Sequence, residues 1–238
     1  MRHLPNKAEA IHDKACTSSP LRGRIGASLL LILTLLCSCD KEDDLRYPSV
    51  VTEYTCLFTD GNGQPHQLRL DNGHFYPIAL TDDYREAHTS PTYYKADTLY
   101  RVISVYELGA DSIAHIYSLA KTVTSIPEPL SEGETLHQAP VYLQSIWCSG
   151  GFLNMVIEIK ALNGQHSIGF VDTTPEGMHG KEFTFYHKVI SDVESYRQKL
   201  YGSIPLLPFG DELSKGDTLR FVVNTYDKGL SSYEFIQD

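Results

Sequence analysis

The feature that most constrains the fold is a two-residue alternation of apolar and polar side chains, which fills the chain from Val50 onward. Such runs place every second side chain on one face of a β-strand, and here Gly, Asn, Asp and Pro separate them at turn positions. Helical periodicity is almost missing from this part of the chain. The sequence therefore predicts an all-β protein.

The clearest turn signal is Asp71-Asn72-Gly73, between the runs 67–70 and 74–80. Asn and Gly tolerate the positive φ angles of a tight turn, so these runs are expected to form a hairpin. The other runs of the first half cover residues 50–58, 100–108 and 112–126. Five strands in roughly 80 residues are typical of a small Greek-key barrel, and we predict an OB-type barrel over residues 48–127.

A proline-containing, polar stretch interrupts the alternation, and we interpret residues 128–139 as a linker. The alternation then resumes, and residues 140–238 are predicted to form an antiparallel β-sandwich of about seven strands. Asn163-Gly164 predicts a hairpin turn inside it. Ser191-Asp192-Val193-Glu194 has the spacing of a capping box and predicts one short helix that ends near Leu200.

The first 38 residues have the pattern of a signal peptide. Arg22 and Arg24 precede an apolar stretch, residues 25–36, that is shorter than the roughly 20 residues needed to span a bilayer. The stretch ends in Leu36-Cys37-Ser38-Cys39, which resembles a lipobox. We predict cleavage before Cys39 and a lipid anchor on that cysteine, which makes the membrane a partner. Secretion without lipid is the alternative.

An acidic run, residues 40–44, follows Cys39 and lies in a predicted tether, residues 39–47. It resembles the surface-export signal of lipoproteins from certain Gram-negative anaerobes. The expected location is therefore the outer membrane, with the protein facing the cell exterior. The alternative is a solvated tether with no sorting role, since blocks of like charge are commonly disordered.

Charge narrows the range of partners. The chain has 20 basic and 30 acidic residues, of which the leader holds five basic and two acidic ones. The remaining 15 basic and 28 acidic residues give the rest of the chain a formal charge of −13. Binding to nucleic acid depends on basic residues that displace counterions from phosphates, so nucleic acid is excluded as a partner.

Two cysteines, Cys56 and Cys148, remain in the predicted folded part. They lie in different predicted domains, each within a strand-like apolar run. We expect two buried free thiols rather than a disulfide bond.

The sequence contains no motif that predicts catalysis or a cofactor. His166, His179, His187 and Asp192 offer metal-ligand types without metal-ligand spacing, so no metal is predicted, and His166 and His187 are expected to cap strand ends. Cys148 has no neighbouring base, and Gly-x-Ser-x-Gly is absent. A carboxylate pair for glycoside hydrolysis stays open, because 28 acidic residues offer many pairings. The sequence predicts that the protein is not an enzyme.

Aromatic residues are the best candidates for ligand contact. The chain holds 15 tyrosines and one tryptophan, and Tyr93, Tyr94 and Tyr226 lie in predicted loops or near the end of the chain. Tyrosine is enriched at binding surfaces. Since it is also common in strands, sheet packing is the alternative.

Several of these motifs occur in the order found in one family, and the chain resembles the NigD-like lipoproteins. The residues that carry the resemblance are the lipobox, the acidic run, Asp71-Asn72-Gly73, Trp147, Phe152-Leu153-Asn154, His166, His187, Asp192 and residues 221–226. The resemblance implies an N-terminal OB-type domain and a C-terminal β-sandwich. It implies no reaction, ligand or active site, and the family's name reflects association with a bacteriocin gene cluster.

Three functional classes follow. We favour a non-catalytic binding or adaptor protein whose partner is a glycan, a peptide or an envelope protein, bound by the barrel loops or by the groove between the domains. A bacteriocin-associated immunity-type protein and a carbohydrate-active enzyme are the alternatives.

Overall fold

Alternating apolar residues form thirteen strands in the part of the chain that the computed structural model describes, residues 49–87, 94–162, 164–191 and 195–237. The strands are β1 (Val51–Thr59), β2 (Pro65–Leu70), β3 (Phe75–Leu80), β4 (Leu99–Leu108), β5 (Ala114–Lys121), β6 (Val123–Thr124), β7 (Tyr142–Ser149), β8 (Phe152–Ala161), β9 (Gln165–Asp172), β10 (Gly180–Ser191), β11 (Tyr196–Pro205), β12 (Thr218–Thr225) and β13 (Gly229–Ile236). One short α-helix, α1 (Asp82–Ala87), and a 3₁₀ turn, Leu207–Phe209, complete the described elements. The all-β prediction is confirmed.

The first five strands close into a barrel with the order β1-β2-β3-β5-β4. Neighbours are antiparallel except β3 and β5, and this arrangement confirms the predicted OB-type barrel. The predicted hairpin is also present, because Arg69 pairs with Phe75 across the Asp71-Asn72-Gly73 turn. Fully buried Leu57, Leu68 and Ile116 fill the barrel interior, as the alternation requires.

Two four-stranded sheets form the sandwich, with the orders β13-β12-β10-β9 and β6-β11-β8-β7. The side chains between them include Leu153, Ile157, Phe183, Ile204 and Phe221, all almost completely buried. Barrel and sandwich together form one packed unit from Pro48 onward.

The chain passes from barrel to sandwich within two residues. Strand β5 ends at Lys121, and β6 begins at Val123 and pairs in parallel with β11. The segment predicted as a linker, residues 128–139, then runs along the sandwich. Glu128 forms a bridge with Val171 of β9, and Gln138 forms one with His187 of β10. Both ends of this segment therefore join the sandwich.

Two local predictions for the sandwich are wrong. In the described part of the segment predicted as a helix ending near Leu200, the residues from Tyr196 onward form no helix but belong to β11, which pairs with β8 along its whole length. The backbone hydrogen bonds that the capping pattern predicted within a helix are thus made with another strand. The predicted hairpin at Asn163-Gly164 is also absent, since β8 and β9 lie in different sheets. The chain therefore passes from one sheet to the other between β8 and β9.

The leader (residues 1–38), the tether (residues 39–47) with Cys39, and the candidate Tyr93 lie outside the described residues. Within the described ranges, none of the helices combines the length and the hydrophobicity needed to cross a bilayer.

Candidate functional site

A buried network of polar side chains joins the barrel to the sandwich. Asp71, at the tip of the β2–β3 hairpin, meets Arg101, which β4 presents on the outer face of the barrel. Both terminal nitrogens of Arg101 donate to the Asp71 carboxylate, at 2.6 and 2.8 Å. The Arg101 side chain is completely buried, whereas that of Asp71 is 22% exposed. Such a two-pronged ion pair is among the stronger polar contacts in proteins.

The sandwich completes this network with Asn154 of β8. Its side-chain oxygen accepts hydrogen bonds from Arg101 (3.0 Å) and from Ser203 of β11 (2.6 Å). Its amide nitrogen donates to the Ser149 hydroxyl at 3.1 Å, and that hydroxyl donates to Asp71 at 2.5 Å. Every member therefore has a partner, as buried polar groups require. We call Asp71, Arg101, Ser149, Asn154 and Ser203 the junction network.

Aromatic rings enclose the Arg101 guanidinium. Its central carbon lies 4.4 Å from the centre of the Phe152 ring and 5.4 Å from that of Tyr54. The Tyr54 hydroxyl donates to the Met155 carbonyl at 2.6 Å, a further direct hydrogen bond between barrel and sandwich. Burial, assisted by Tyr201 and opposed by Arg101, raises the pKa of Tyr54. Tyr54 therefore stays a neutral donor at physiological pH.

The charge state of Asp71 follows from its partners. Burial alone would raise its pKa, but the hydrogen bonds from Arg101 and Ser149 outweigh burial and hold the pKa below its usual range. Asp71 is thus an ionised, paired carboxylate at neutral pH. A general acid needs a raised pKa instead, so Asp71 is unsuited to that role.

The turn after β7 approaches Asp71 closely. Gly150 has a φ of +63°, and a Cβ at this position would lie 2.2 Å from an Asp71 carboxylate oxygen. Only glycine fits both the left-handed backbone and the contact.

Beside the junction network lies a groove between the two modules, the barrel and the sandwich, with a volume of about 440 Å³. We call it the junction groove. Its lining residues come from both modules and are Thr52, Glu53, Tyr54, Asp71, Ile103, Trp147, Ser149, Val156 and Tyr201.

Three aromatic rings dominate this groove. Trp147 and Tyr201 meet the Tyr54 ring edge-on, with ring centres 5.2 and 6.0 Å away, and both are half-buried. The Trp147 nitrogen donates to Ser149 at 3.1 Å, which fixes the indole. Glu53 accepts a 2.5 Å hydrogen bond from the Tyr106 hydroxyl. The groove thus offers apolar rings beside oxygen acceptors, a combination typical of small-molecule sites.

A larger groove of about 700 Å³ lies between residues 125–137 and strands β9 and β10. Its charged side chains have mixed sign, with Glu128 and Glu134 against Lys188. The Glu134 carboxylate also accepts a bond from the Ser131 backbone, so it is engaged within its own turn. The junction groove is the better candidate, because its aromatic and polar groups converge.

The tyrosines proposed from sequence lie elsewhere. Tyr94 is buried in the barrel core against Tyr100, with ring centres 5.0 Å apart. Tyr226 stacks on Tyr142 in the sandwich at 4.7 Å, and the Lys160 ammonium lies 4.2 Å from its ring centre. Neither Tyr94 nor Tyr226 lines the junction groove.

Two of the candidate histidines form a pair. His166 Nδ1 lies 2.8 Å from His187 Nε2, and His187 Nδ1 lies 3.1 Å from the Ala139 carbonyl. Burial, with a contribution from His166, lowers the pKa of His187, although the Ala139 contact opposes this shift. His179 is exposed, and Asp192 lies outside the described residues. Within the described ranges, no group of three or more His, Cys, Asp or Glu is placed to hold a metal.

The cysteine prediction is half right. Cys56 and Cys148 are both free, and Cys56 is buried, but Cys148 is exposed. Cys148 lies on β7, an edge strand of its sheet, where alternation turns its side chain outward.

Sequence reasoning missed Tyr54, Arg101 and Tyr201 as site residues. One signal was available, because Arg101 is a charged residue inside the apolar run of β4 and needs a partner when buried. Its charged partner, Asp71, lies in the β2–β3 turn, about 30 residues earlier in the sequence, and cannot be found by spacing. Four residues that carry the family resemblance, Asp71, Trp147, Phe152 and Asn154, meet at this junction.

Comparisons with known proteins agree on the architecture. Residues 122–236 match the family model described as the NigD-like C-terminal beta sandwich domain. The crystal structure of a NigD-like immunity protein from Bacteroides caccae is 28% identical, covers 81% of this chain and 99% of its own, and superposes with a TM-score of 0.65. Among curated proteins, none matches the chain.

Two more distant structures share the fold. A protein of unknown function from Bacteroides vulgatus is 17% identical, with coverage of 80% of this chain and 92% of its own and a TM-score of 0.59. A candidate lipoprotein from Bacteroides fragilis is 11% identical, with coverage of 79% and 98% and a TM-score of 0.53. At these identities the likeness concerns the fold alone.

Proposed function

The chain belongs to the NigD-like family, and from that premise we propose that it is a cell-envelope lipoprotein that binds a glycan, without catalysis, in the junction groove. The observation that carries the proposal is the convergence of three aromatic rings and two carboxylates in one groove built by both modules. OB-type barrels bind oligosaccharides on their outer surface, which adds support by analogy.

The groove chemistry suits a sugar. A pyranose ring presents an apolar face of C–H groups, which packs on aromatic rings, and a rim of hydroxyl donors, which need acceptors. Trp147 and Tyr201 supply ring surface, and Glu53 and Asp71 supply acceptor oxygens. The formal charge of −13 outside the leader repels anionic polysaccharides. The ligand we infer is therefore a neutral or amino-sugar glycan.

A binding role fits the electrostatics better than hydrolysis does. Retaining and inverting glycosidases both need one carboxyl group that is protonated at neutral pH. Asp71 has the opposite property, because Arg101 and Ser149 hold its pKa low. Turnover of a polysaccharide by the purified protein, abolished by one carboxylate substitution, would overturn the non-catalytic proposal.

The test is a glycan array followed by calorimetry with the best ligand. We expect Trp147→Ala to weaken binding at least about tenfold, since removal of a central aromatic contact commonly costs more than 1 kcal/mol. Tyr226→Ala is the matched control, because Tyr226 is a half-buried aromatic of the sandwich outside the groove. Equal loss in both variants, or no glycan bound by the wild type, would contradict the proposal.

We propose the outer membrane, with the protein facing the cell exterior, as its location. Support comes from the lipobox-like sequence that ends at Cys39 and from the acidic run after it. The candidate lipoprotein from Bacteroides fragilis has the same fold.

An immunity role is the second candidate, because the relative from Bacteroides caccae is called an immunity protein. The strong negative charge would suit a basic toxin and would make association fast and sensitive to salt. Capture of one basic protein from producer cells, with an association rate that falls as salt rises, would promote this role over glycan binding.

A further inference from the structure

The four outer strands of the sandwich differ in how their free edges are protected. Strand β6 is two residues long, and β7 carries a register shift between Leu143 and Ser145. Strand β9 is bridged at Val171 by Glu128 from the preceding segment. Short edges, bulges and covering segments are the usual means of preventing edge-to-edge pairing.

Strand β13 has none of these protections. It spans eight residues, and its register with β12 is continuous from Gly229 to Ile236. It contains neither proline nor lysine. In the described part of the chain, β12 is the strand that pairs with it, and its other side borders no strand. A long, regular edge of this kind is a template for another strand.

The backbone groups at this free edge can be assigned from the ladder. Gln237 exchanges hydrogen bonds on the β12 side, where its N–H donates to Asp217 and its carbonyl accepts from Gly216. Because backbone direction alternates along a strand, the odd-numbered residues of β13 face β12. The even-numbered residues direct their N–H and C=O groups to the free edge, and these are Leu230, Ser232, Glu234 and Ile236.

The same four residues also expose their side chains. Leu230 and Ile236 are 65% and 64% exposed, and the two polar residues lie between them. The alternate residues Tyr233 and Phe235 pack against the core. The edge thus presents an apolar residue at each end and a hydroxyl and a carboxylate in the middle.

We propose that β13 pairs antiparallel with β13 of a second copy of this chain, across a two-fold axis at Tyr233. Backbone hydrogen bonds form between the copies only if residues whose N–H and C=O groups point to the free edge lie opposite each other. Near the middle of the strand, this leaves two-fold axes at residue 232, 233 or 234. An axis at Glu234 is unfavourable because it places two carboxylates opposite each other, and an axis at Ser232 is unfavourable because it places apolar Leu230 opposite charged Glu234.

The register centred on Tyr233 matches like with like. It opposes Leu230 to Ile236 at both ends and Ser232 to Glu234 in the middle, where the hydroxyl can donate to the carboxylate. About eight backbone hydrogen bonds would join the copies. The four-stranded sheet that contains β13 in one copy would join the same sheet of the other copy, which gives one continuous sheet of eight strands. Such an interface is isologous, the kind that two-fold dimers use.

Site-specific cross-linking in intact cells tests this register. The full chain carries Cys148→Ser to remove the exposed thiol and receives Leu230→Cys with Ile236→Cys. These positions are about 20 Å apart within one strand but oppose each other between copies, so only a dimer can form the disulfide bond. We expect a disulfide-linked dimer on a non-reducing gel after mild oxidation.

The matched control pair is Leu230→Cys with Glu234→Cys. Residue 230 of one copy lies opposite residue 234 of the other only in the register centred on Ser232. We expect at least a severalfold lower dimer yield from this pair. No dimer from the first pair, or equal yields from both, would overturn the proposal.

A charge series at Ser232, measured as the yield of the same disulfide-linked dimer, gives a second test of the register. In the first cysteine pair, Ser232→Glu places a carboxylate opposite Glu234 of the other copy, so the dimer yield should fall severalfold. Ser232→Lys places a cation there, so the yield should be kept or should rise. Equal yields for the two charges would exclude the pairing of Ser232 with Glu234, and the proposed register with it.

Discussion

Replacing Asp71 with alanine tests whether the junction network holds the barrel and the sandwich together. The change leaves the Arg101 guanidinium buried without its counter-charge. Breaking a fully buried ion pair costs roughly 3–5 kcal/mol of the free energy of unfolding. Because the Asp71 side chain is 22% exposed, water can reach the vacated site, and we expect about 3 kcal/mol.

Urea denaturation of the full chain, monitored by tryptophan fluorescence, measures this loss of free energy of unfolding. Trp147 donates to Ser149 inside the network, so its emission reports on the junction. A loss of about 3 kcal/mol is a large part of the roughly 5–15 kcal/mol that stabilises a typical domain. In the double variant with Arg101→Met, we expect the two losses to be less than additive by about 2 kcal/mol, as for residues in direct contact.

Asp82→Ala is the matched control. Asp82 also pairs with an arginine, Arg85, at 3.1 Å, but its side chain is 90% exposed. Exposed pairs contribute roughly 0–1 kcal/mol. If Asp71→Ala costs no more than Asp82→Ala, or if the double variant is simply additive, the reasoning about the junction network is refuted.

Three further predictions follow from single sites. Gly150→Ala should cost about 1–3 kcal/mol more than Gly151→Ala in the same denaturation assay, because both residues have positive φ but only a Cβ at Gly150 meets Asp71, and equal costs would contradict this. The folded-state pKa of His187 is lowered, so its contribution to stability is present above the unfolded value of about 6.5 and is lost as pH falls below it. Thermal melts from pH 8 to 5 should therefore show a decline that is smaller in His187→Phe. Cys39→Ala should release unlipidated or unprocessed protein, and mass spectrometry that finds an unmodified N-terminus beyond Cys39 in the wild type would refute lipidation.

Local chemistry made the barrel predictable. The Asp71-Asn72-Gly73 turn selects a hairpin through the backbone freedom of Asn and Gly, and the structure has that hairpin. Alternation likewise identified most strands, since burial of every second side chain leaves a direct trace in the sequence.

Long-range pairing explains what sequence did not show. Strand β11 overrides a local capping pattern because all ten of its residues pair with β8. The junction network is hidden for the same reason, since Arg101 of β4, Asp71 of the β2–β3 turn and Asn154 of β8 meet only after both modules have formed. Tyr94 illustrates a third limit, because a tyrosine before a strand can enter the core as readily as a binding surface.

The short passage from barrel to sandwich has a consequence for evolution and for engineering. Thr122 lies between β5 and β6, and both its N–H and its hydroxyl donate to the carbonyl of Arg101. Thr122, which connects the modules along the chain, is thus hydrogen-bonded to Arg101, whose side chain links them through the junction network. A chimera that takes its barrel from one relative and its sandwich from another must inherit a compatible Arg101, Asp71 and Asn154 together. We therefore expect stable hybrids from recombination at this point only when the two parents share all three residues.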